Sequence, residues 1–537
     1  MAEQPLWWQA GTIYQIYPRS FQDSTGDGVG DLPGIRQRVD YLAELGVDAV
    51  WLSPIFPSPM ADFGYDVANY VDVAPIFGTL ADLDGLIADL HARGIKLLLD
   101  LVPNHTSDEH PWFVESRASR DNPRRDWYIW RDPRPDGSPP NNWLGAFGGS
   151  AWTLDPMTGQ YYLHLFHRKQ PDLNWNNPAV RQAIYDVMRF WFRRGVDGFR
   201  IDVVSGMMKD PLLRDNPPNP DWKLGDPPWT RELRVYSGNR PEVHGVLREM
   251  RAVADEFPGR VLIGEAYLSI PEMMPYYGAA LDELHLPFNF QLITLPWSAP
   301  VIRRAVAEYE AALPSGAWPN WVLGNHDQPR IMSRIGPQQA RLAQMLLLTL
   351  RGTPTLYYGG EIGMVDVAIP ADRMVDPPGL VDPKASRDPE RTPMQWDASP
   401  HAGFSAAEPW LPVASDYRLV NVAAERDDPR SVLAFVRALL ALRRASPALS
   451  LGSYHGLETP YEDVLAYVRT SPDGAQRMLV ALNFASGQRM LDFSPLAASG
   501  IVCCSTCMDR AGAGPERLAE LALRSAEGVV IELTSEG

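Results

Sequence analysis

Cysteine is almost missing. The 537 residues hold only Cys503, Cys504 and Cys507, an odd, clustered trio that builds no disulfide framework. As metal ligands they lack a fourth partner close in sequence, so no zinc centre is expected there. No run of about eighteen apolar residues occurs, so no membrane-crossing helix is expected. Positive charge is in deficit: 49 Lys and Arg stand against 66 Asp and Glu, a formal net charge of −17. An acidic surface disfavours nucleic acid and anionic membranes and suits a neutral substrate. The opening Met-Ala-Glu-Gln-Pro-Leu-Trp-Trp lacks a basic start followed by an apolar stretch. No signal peptide is therefore expected, and the expected location is cytoplasmic. A Gly-rich phosphate loop after the first strand is also missing, which argues against an open doubly wound nucleotide-binding sheet.

What is present is an ordinary globular composition, 45% hydrophobic and 21% charged, in a chain too long for one core. Strand-like and helix-like segments alternate. Ile13 to Tyr17 is a short β-branched and aromatic run. A helix is predicted from Leu32 to Leu45, with Ile35, Val39, Leu42 and Leu45 on one face and Gly46 as its stop. Val47 to Leu52 is a strand; Thr79 caps a helix ended by Gly94; Ile95 to Val102 is a continuous apolar strand of the kind buried on both faces. The alternation stops between Asn104 and Asn174, a stretch rich in Trp, Pro, Asp and Gly, and resumes with a helix opened by Asn177-Pro178. Further strands are predicted at Val196–Val203, Val261–Glu265, near Leu284–Phe290, at Trp321–Leu323 and at Thr355–Tyr358. Eight such βα units fit an α/β fold, a closed (β/α)₈ TIM barrel. The expected organisation is a barrel from residues 1–103 and 175–451, an inserted small domain at 104–174 after strand three, and a C-terminal antiparallel β-sandwich domain at 452–537.

Four segments end apolar runs with carboxylates: Leu99-Asp100-Leu-Val-Pro-Asn104-His105, Gly198-Phe-Arg200-Ile-Asp202-Val203, Ile263-Gly-Glu265-Ala-Tyr267 and Leu323-Gly-Asn325-His326-Asp327-Gln328. A carboxylate at the end of a buried strand is costly unless something uses it. In a (β/α)₈ barrel these ends meet at one rim, where Asp202, Glu265 and Asp327 would come from strands four, five and seven. Two such acids suffice to break a glycosidic bond. The plainer alternative, that each acid caps a turn, holds for any one of them better than for all together.

These segments resemble the four signature regions of the α-amylase superfamily, glycoside hydrolase family 13. Gln170-Pro-Asp172-Leu-Asn174-Trp175, Arg391-Thr-Pro-Met-Gln-Trp396 and Asp62-Phe-Gly-Tyr65-Asp66 are similar to the forms in its oligo-1,6-glucosidase group. The resemblance runs from about Trp8 to the end of the barrel. It implies that Asp202 is the nucleophile, Glu265 the general acid and base, and Asp327 the stabiliser of the transition state. Arg200 would keep Asp202 ionised by its fixed charge. His105 and His326 would hydrogen-bond the sugar, although each alone reads as a satisfied core histidine. Tyr65 would stack on the terminal glucose, with Asp62 and Arg391 as a charged pair closing the pocket. A closed pocket suits removal of single glucose units from a small oligosaccharide.

The resemblance also implies a structural Ca²⁺ or Mg²⁺ on Asp23, Thr25, Asp27, the Val29 carbonyl and Asp31, with Thr25 where relatives carry Asn; an Asp/Gly turn without metal is the alternative. No organic cofactor is implied. Val203, directly after Asp202, accompanies α-1,6 cleavage in relatives. The implied enzyme is an exo-acting retaining α-glucosidase, monomeric or a small homo-oligomer. A glucosyl transferase or isomerase such as a trehalose synthase shares the chemistry, and a non-catalytic transporter-associated subunit is the remote alternative.

Overall fold

A computed structural model of the chain describes residues 5–226 and 228–534. In chain order its first strands are β1 (Ile13–Ile16), β2 (Ala49–Leu52), β3 (Lys96–Leu101), β4 (Trp130–Arg131), β5 (Trp152–Asp155), β6 (Gln160–Leu163), β7 (Gly198–Ile201), β8 (Val261–Gly264), β9 (Leu286–Pro287), β10 (Asn320–Val322) and β11 (Thr353–Tyr357). Eight of them form one parallel sheet in the order β10-β11-β1-β2-β3-β7-β8-β9. A parallel bridge from Asn289 to Trp321 joins the two ends, so the sheet closes as a barrel.

Alternation along each strand decides what faces the site. On β3, Leu97 and Leu99 pack outward against the helices, while Leu98 joins Ile13, Trp51, Ile263 and Val322 inside the barrel. Both faces are buried, which is why this strand reads as an unbroken apolar run. The same two-residue period continues inward at Asp100. It pairs with Arg200 across the sheet, and Arg200 pairs with Ile263. Asp202 and Glu265 sit two residues further along their own chains, so the carboxylates reach the C-terminal rim together.

The helices obey their sequence signals with one exception, and one strand is shorter than expected. Thr79 and Asn177 accept the first backbone N–H groups of helices Leu80–His91 and Pro178–Arg194, and Gly195 ends the latter at φ 106°. The helix expected over Leu32–Leu45 is instead two, Leu32–Gln37 and Val39–Leu45. Arg38 leaves the helical conformation to donate to Gln22 Oε1 at 2.7 Å and to lie 4.1 Å from the Trp396 ring centre. The strand expected near Leu284–Phe290 shrinks to the two residues of β9. Pro287 has no N–H to extend the ladder.

Residues 104–174 carry the helix Pro111–Ala118 and a small antiparallel sheet in the order β4-β6-β5. Trp143, Trp152, Leu163 and Leu165 form its own buried cluster. Its two ends zip together through the His105–Asp172 and Tyr128–Leu173 bridges, which places residues 105 and 170–173 beside the end of β3. At the C-terminus a six-stranded antiparallel sheet runs from Ser453–Leu457 to Gly528–Leu533. The hairpin-like pair Arg489–Leu491 and Leu521–Leu523 covers one face, with Val464, Leu479, Leu491, Leu521 and Val529 buried between. Tyr467 Oη meets Thr349 Oγ1 at 2.6 Å and ties this sheet to the barrel. Among the described residues no helix is long and apolar enough to cross a membrane.

Candidate active site

One guanidinium organises the rim. Arg200, buried inside the barrel, donates from Nη1 to Asp202 Oδ1 at 2.7 Å and to Asp100 Oδ1 at 2.8 Å, and its Nη2 lies 2.7 Å from Glu265 Oε2. A single positive charge therefore serves three buried carboxylates. That charge favours the ionised form of Asp202 but is shared with Asp100 and Glu265. Burial raises Asp202 well above the usual carboxylate range; Arg200 opposes that shift, while Glu265 and Asp100 add to it. Burial likewise pushes Asp100 up to about 7 against Arg200. Asp100 Oδ2 is further held by Trp51 Nε1 at 3.2 Å and Tyr65 Oη at 3.0 Å.

Val203, between Asp202 and the first turn beyond β7, has φ 46° and ψ 46°. A β-branched residue in the left-handed region is strained by roughly 1–3 kcal/mol. That conformation points the Val203 N–H at Glu265 Oε2, 3.1 Å away. Gly206 makes room for it: a Cβ there would lie 2.8 Å from Val203 Cγ1.

The closed end of the pocket is built differently from expectation. Asp62 pairs with Arg387, Nη2 to Oδ1 at 2.7 Å, not with Arg391. Arg387 also reaches Asp376 at 2.7 Å and Asp327 at 3.2 Å. Arg391 donates to Asp327 Oδ1 at 2.8 Å and, through Nε, to the His326 carbonyl at 2.7 Å. Its guanidinium is turned toward Asp327 because its backbone follows Arg387 by one helical turn, Asp388–Glu390. Burial alone would raise Asp327, but the Arg387 and Arg391 guanidinium groups beside it hold it well below the usual carboxylate range. Gln170 Nε2 donates to Asp62 Oδ2 at 3.0 Å, from the zipped end of the insertion.

The histidines belong to the same network. Gln15 Nε2 donates to His326 Nδ1 at 2.8 Å, which assigns the ring proton to Nε2. Nε2 in turn meets Tyr65 Oη at 2.6 Å, and Tyr65 donates onward to Asp100. The Tyr65 and His326 rings are parallel, with centroids 5.4 Å apart. His105 faces Asn104 Nδ2 through Nδ1 at 3.0 Å and the Tyr65 carbonyl through Nε2 at 3.2 Å. Burial lowers His105 to about 4 and His326 well below the usual histidine range, so both rings are neutral near pH 7.

All nine expected acid, sugar-pocket and histidine residues thus converge. Arg387, Asp376 and Gln15 were missed. Arg387 stands four residues before Arg391 in the same Arg-Asp-Pro-Glu-Arg run, and that spacing was the available signal. Glu265, Asp327 and Arg387 line a cavity of about 970 Å³ that widens on the leaving-group side into a chamber bounded by the Ser205–Gly238 loop, Phe147, Phe166 and Tyr267.

The expected cation ligands share one loop, shaped by its own hydrogen bonds. Asp23 Oδ1 accepts the N–H groups of Thr25 and Gly26 at 2.9 and 2.8 Å, and Oδ2 those of Gly28 at 2.8 Å and the Ser405 hydroxyl at 2.6 Å. Asp31 accepts from Ser24 and Gly34, and Asp27 from the Val29 N–H. Among the described residues no three His, Cys, Asp or Glu side chains gather as a metal site. Within that set Asp31 Oδ2 accepts only the Ser24 N–H and Asp27 Oδ1 only the Val29 N–H; a Ca²⁺ or Mg²⁺ ion on this loop would be held by Asp23, Thr25, Asp27, the Val29 carbonyl and Asp31. The three cysteines are free thiols.

A closed parallel barrel with paired carboxylates at its C-terminal rim defines a glycoside hydrolase. The alpha-amylase catalytic domain family matches residues 15–452. The chain is 46% identical over 471 residues to a probable alpha-glucosidase of Rhizobium meliloti (strain 1021), covering 84% of this chain and 85% of that one. It is 42% identical over 521 residues to an oligo-1,6-glucosidase of Parageobacillus thermoglucosidasius, covering 89% and 91%. A solved alpha-glucosyl transfer enzyme superposes with a TM-score of 0.93 at 42% identity, over 99% of this chain and 100% of that one. The chain belongs to the alpha-amylase family, glycoside hydrolase family 13.

Proposed function

We propose that this protein is an exo-acting, retaining α-glucosidase that removes terminal glucose from short α-glucosides. The observation that carries the proposal is the fork of Arg200, which holds Asp202 and Glu265 on separate nitrogens at 2.7 Å each. Retention needs two carboxylates roughly 5–5.5 Å apart, one on each side of the scissile bond. Asp202 attacks the anomeric carbon as Glu265 protonates the departing oxygen; Glu265 then takes a proton from water, which releases the glucose from Asp202. Negative charge left unbalanced by Arg200 favours the oxocarbenium-like transition state, where positive charge develops. Asp327, kept ionised by its arginines, accepts from the sugar hydroxyls. The Asp62–Arg387–Asp376 contacts close the pocket at its glucose end, which supports removal of single units. No step uses a cation at the Asp23 loop.

Val203 and the similarity to an oligo-1,6-glucosidase support α-1,6 over α-1,4 linkages. The similarity to an alpha-glucosyl transfer enzyme, and the chamber beyond Glu265, favour a second reading in which a sugar rather than water resolves the glucosyl-enzyme. The test is D202N with an aryl α-glucoside, where turnover should fall by roughly 10⁴-fold, together with NMR of the first product from wild type. Near-normal turnover of D202N, or first release of the β-anomer, overturns the reading. Trehalose or longer oligomers from maltose would select transfer.

A further inference from the structure

The arginines of this site fall into two groups. Those at the glucose end are committed: Arg200, Arg387 and Arg391 each contact two or three carboxylates. Those of the leaving-group chamber are not. Arg234 and Arg240 both line the chamber on the wall made by the proline-rich loop. Arg234 Nη2 is buried with no hydrogen-bond partner, and among the described residues no carboxylate lies within 4.0 Å of its guanidinium. The acids whose charge it feels are engaged elsewhere. Glu232 Oε1 accepts from Leu144 N at 2.9 Å and Asn216 Nδ2 at 3.1 Å, and Asp172 is locked to Lys209 Nζ at 2.7 Å. Arg240 has only a loose contact to Glu242, 3.5 Å from Nε, and donates Nη1 to the Val235 carbonyl at 3.2 Å.

Three acids line the same cavity: Glu265 is held by Arg200, Asp327 by Arg387 and Arg391, and Glu272 stands on the chamber wall. Its oxygens accept from Ser269 N at 3.1 Å, Ser269 Oγ at 2.6 Å and Asn239 Nδ2 at 3.3 Å, so it serves its own helix cap. The chamber therefore presents one guanidinium, Arg234, without a carboxylate partner and a second, Arg240, with only the 3.5 Å contact to Glu242, in a protein of net charge −17. A buried donor without an acceptor is unfavourable, and a planar guanidinium is matched best by a carboxylate or phosphate. A neutral sugar in the chamber would leave that charge unanswered.

We propose that the leaving-group side accepts α-glucosides whose aglycone carries an oxyanion, a carboxylate or a phosphate, held by Arg234 and Arg240. The proposal rests on the α-glucosidase reading and adds the charge of the departing group. Bond making and breaking are unchanged: the aglycone oxygen leaves with the Glu265 proton, and the distal oxyanion stays ionised against the arginines.

The test compares α-1,6-linked pairs differing in charge at the reducing end: the aldonate of isomaltose against isomaltitol, and isomaltose phosphorylated on the reducing glucose against isomaltose. Wild type should show kcat/KM at least about tenfold higher for the charged member of one pair. The preferred pair tells carboxylate from phosphate. R234Q should remove most of the preference, the R234Q/R240Q double variant should bring the ratio near one, and about 0.5 M salt should weaken it in wild type. Turnover of the neutral member reports that each variant is folded. A ratio of one or less in both pairs for wild type overturns the proposal, as does an R234Q ratio equal to wild type. If the neutral substrates are cleaved without charge preference, this proposal alone fails. If none of the four is cleaved, the glucosidase reading fails with it.

Discussion

Arg387 Nη2 lies 2.7 Å from Asp62 Oδ1, joining the loop after β2 to the loop after β11 across the floor of the sugar pocket. The same guanidinium holds Asp376 and touches Asp327. The floor is thus a cation among three acids, and its shape depends on that one planar fork.

Replacing Arg387 by Ala leaves these acids without their shared partner. Removing one member of a buried pair costs about 3–5 kcal/mol, so kcat/KM for an aryl α-glucoside should fall roughly a hundredfold or more. Lysine keeps the charge without the fork and should recover only part. Steady-state kinetics of R387A within threefold of wild type would show that the floor does not bind the sugar.

Glu265 should matter in proportion to how poorly the leaving group departs. For E265Q, a loss of about 10²–10⁴ is expected with a sugar leaving group, and much less with dinitrophenolate, which leaves without a proton. Equal losses on both substrates, measured as kcat/KM, would assign Glu265 another role.

Two buried histidines make the fold acid-sensitive. His105 is lowered to about 4 and His110 to about 3, both chiefly by burial. The unfolded chain takes up these protons near pH 6.5, whereas the native protein does so only near 4 and 3. Their contribution to stability is complete above pH 6.5 and is lost as pH falls toward those lower values. His110 Nδ1 caps the helix Pro111–Ala118 through Trp112 N at 3.1 Å, a bond that Asn can replace. Between pH 6.5 and 5, denaturant unfolding of H110N should lose about 2 kcal/mol less stability than wild type. Identical losses would show that His110 titrates normally.

Gly206 sets the strain at Val203. A methyl group there would fall 2.8 Å from Val203 Cγ1 and 3.2 Å from Asn104 Oδ1. Overpacking of this kind costs about 1–3 kcal/mol, and the easiest relief moves the Val203 N–H away from Glu265. G206A should therefore lose kcat by roughly tenfold or more with a smaller effect on KM. A lowered melting temperature with unchanged kcat would refute the link.

Much of this was legible because strand periodicity and chemistry coincide. Asp100, Arg200, Asp202 and Glu265 lie at alternate positions on strands whose other residues are apolar, so one pattern gave both the barrel and its rim. The partnership of Asp62 was not legible: Arg387 and Arg391 are equally good in sequence, and only the turn between them decides which reaches the floor. The sharing of Arg200 was not legible for a related reason. An Arg two residues away looks like a private counter-ion, and nothing local says that Asp100 and Glu265 share it. Arg38 breaks a helix that periodicity alone continues, because Gln22 and Trp396 offer it better partners than another turn would.

The sixth and seventh staves, β9 and β10, meet through the bridge between Asn289 and Trp321, where other neighbours share whole ladders. That seam separates the stave bearing Glu265 and its neighbour β9 from the one leading to Asp327. Warming should part it before the rest of the cylinder yields, so catalysis will fade while the circular-dichroism signal of the helices still stands.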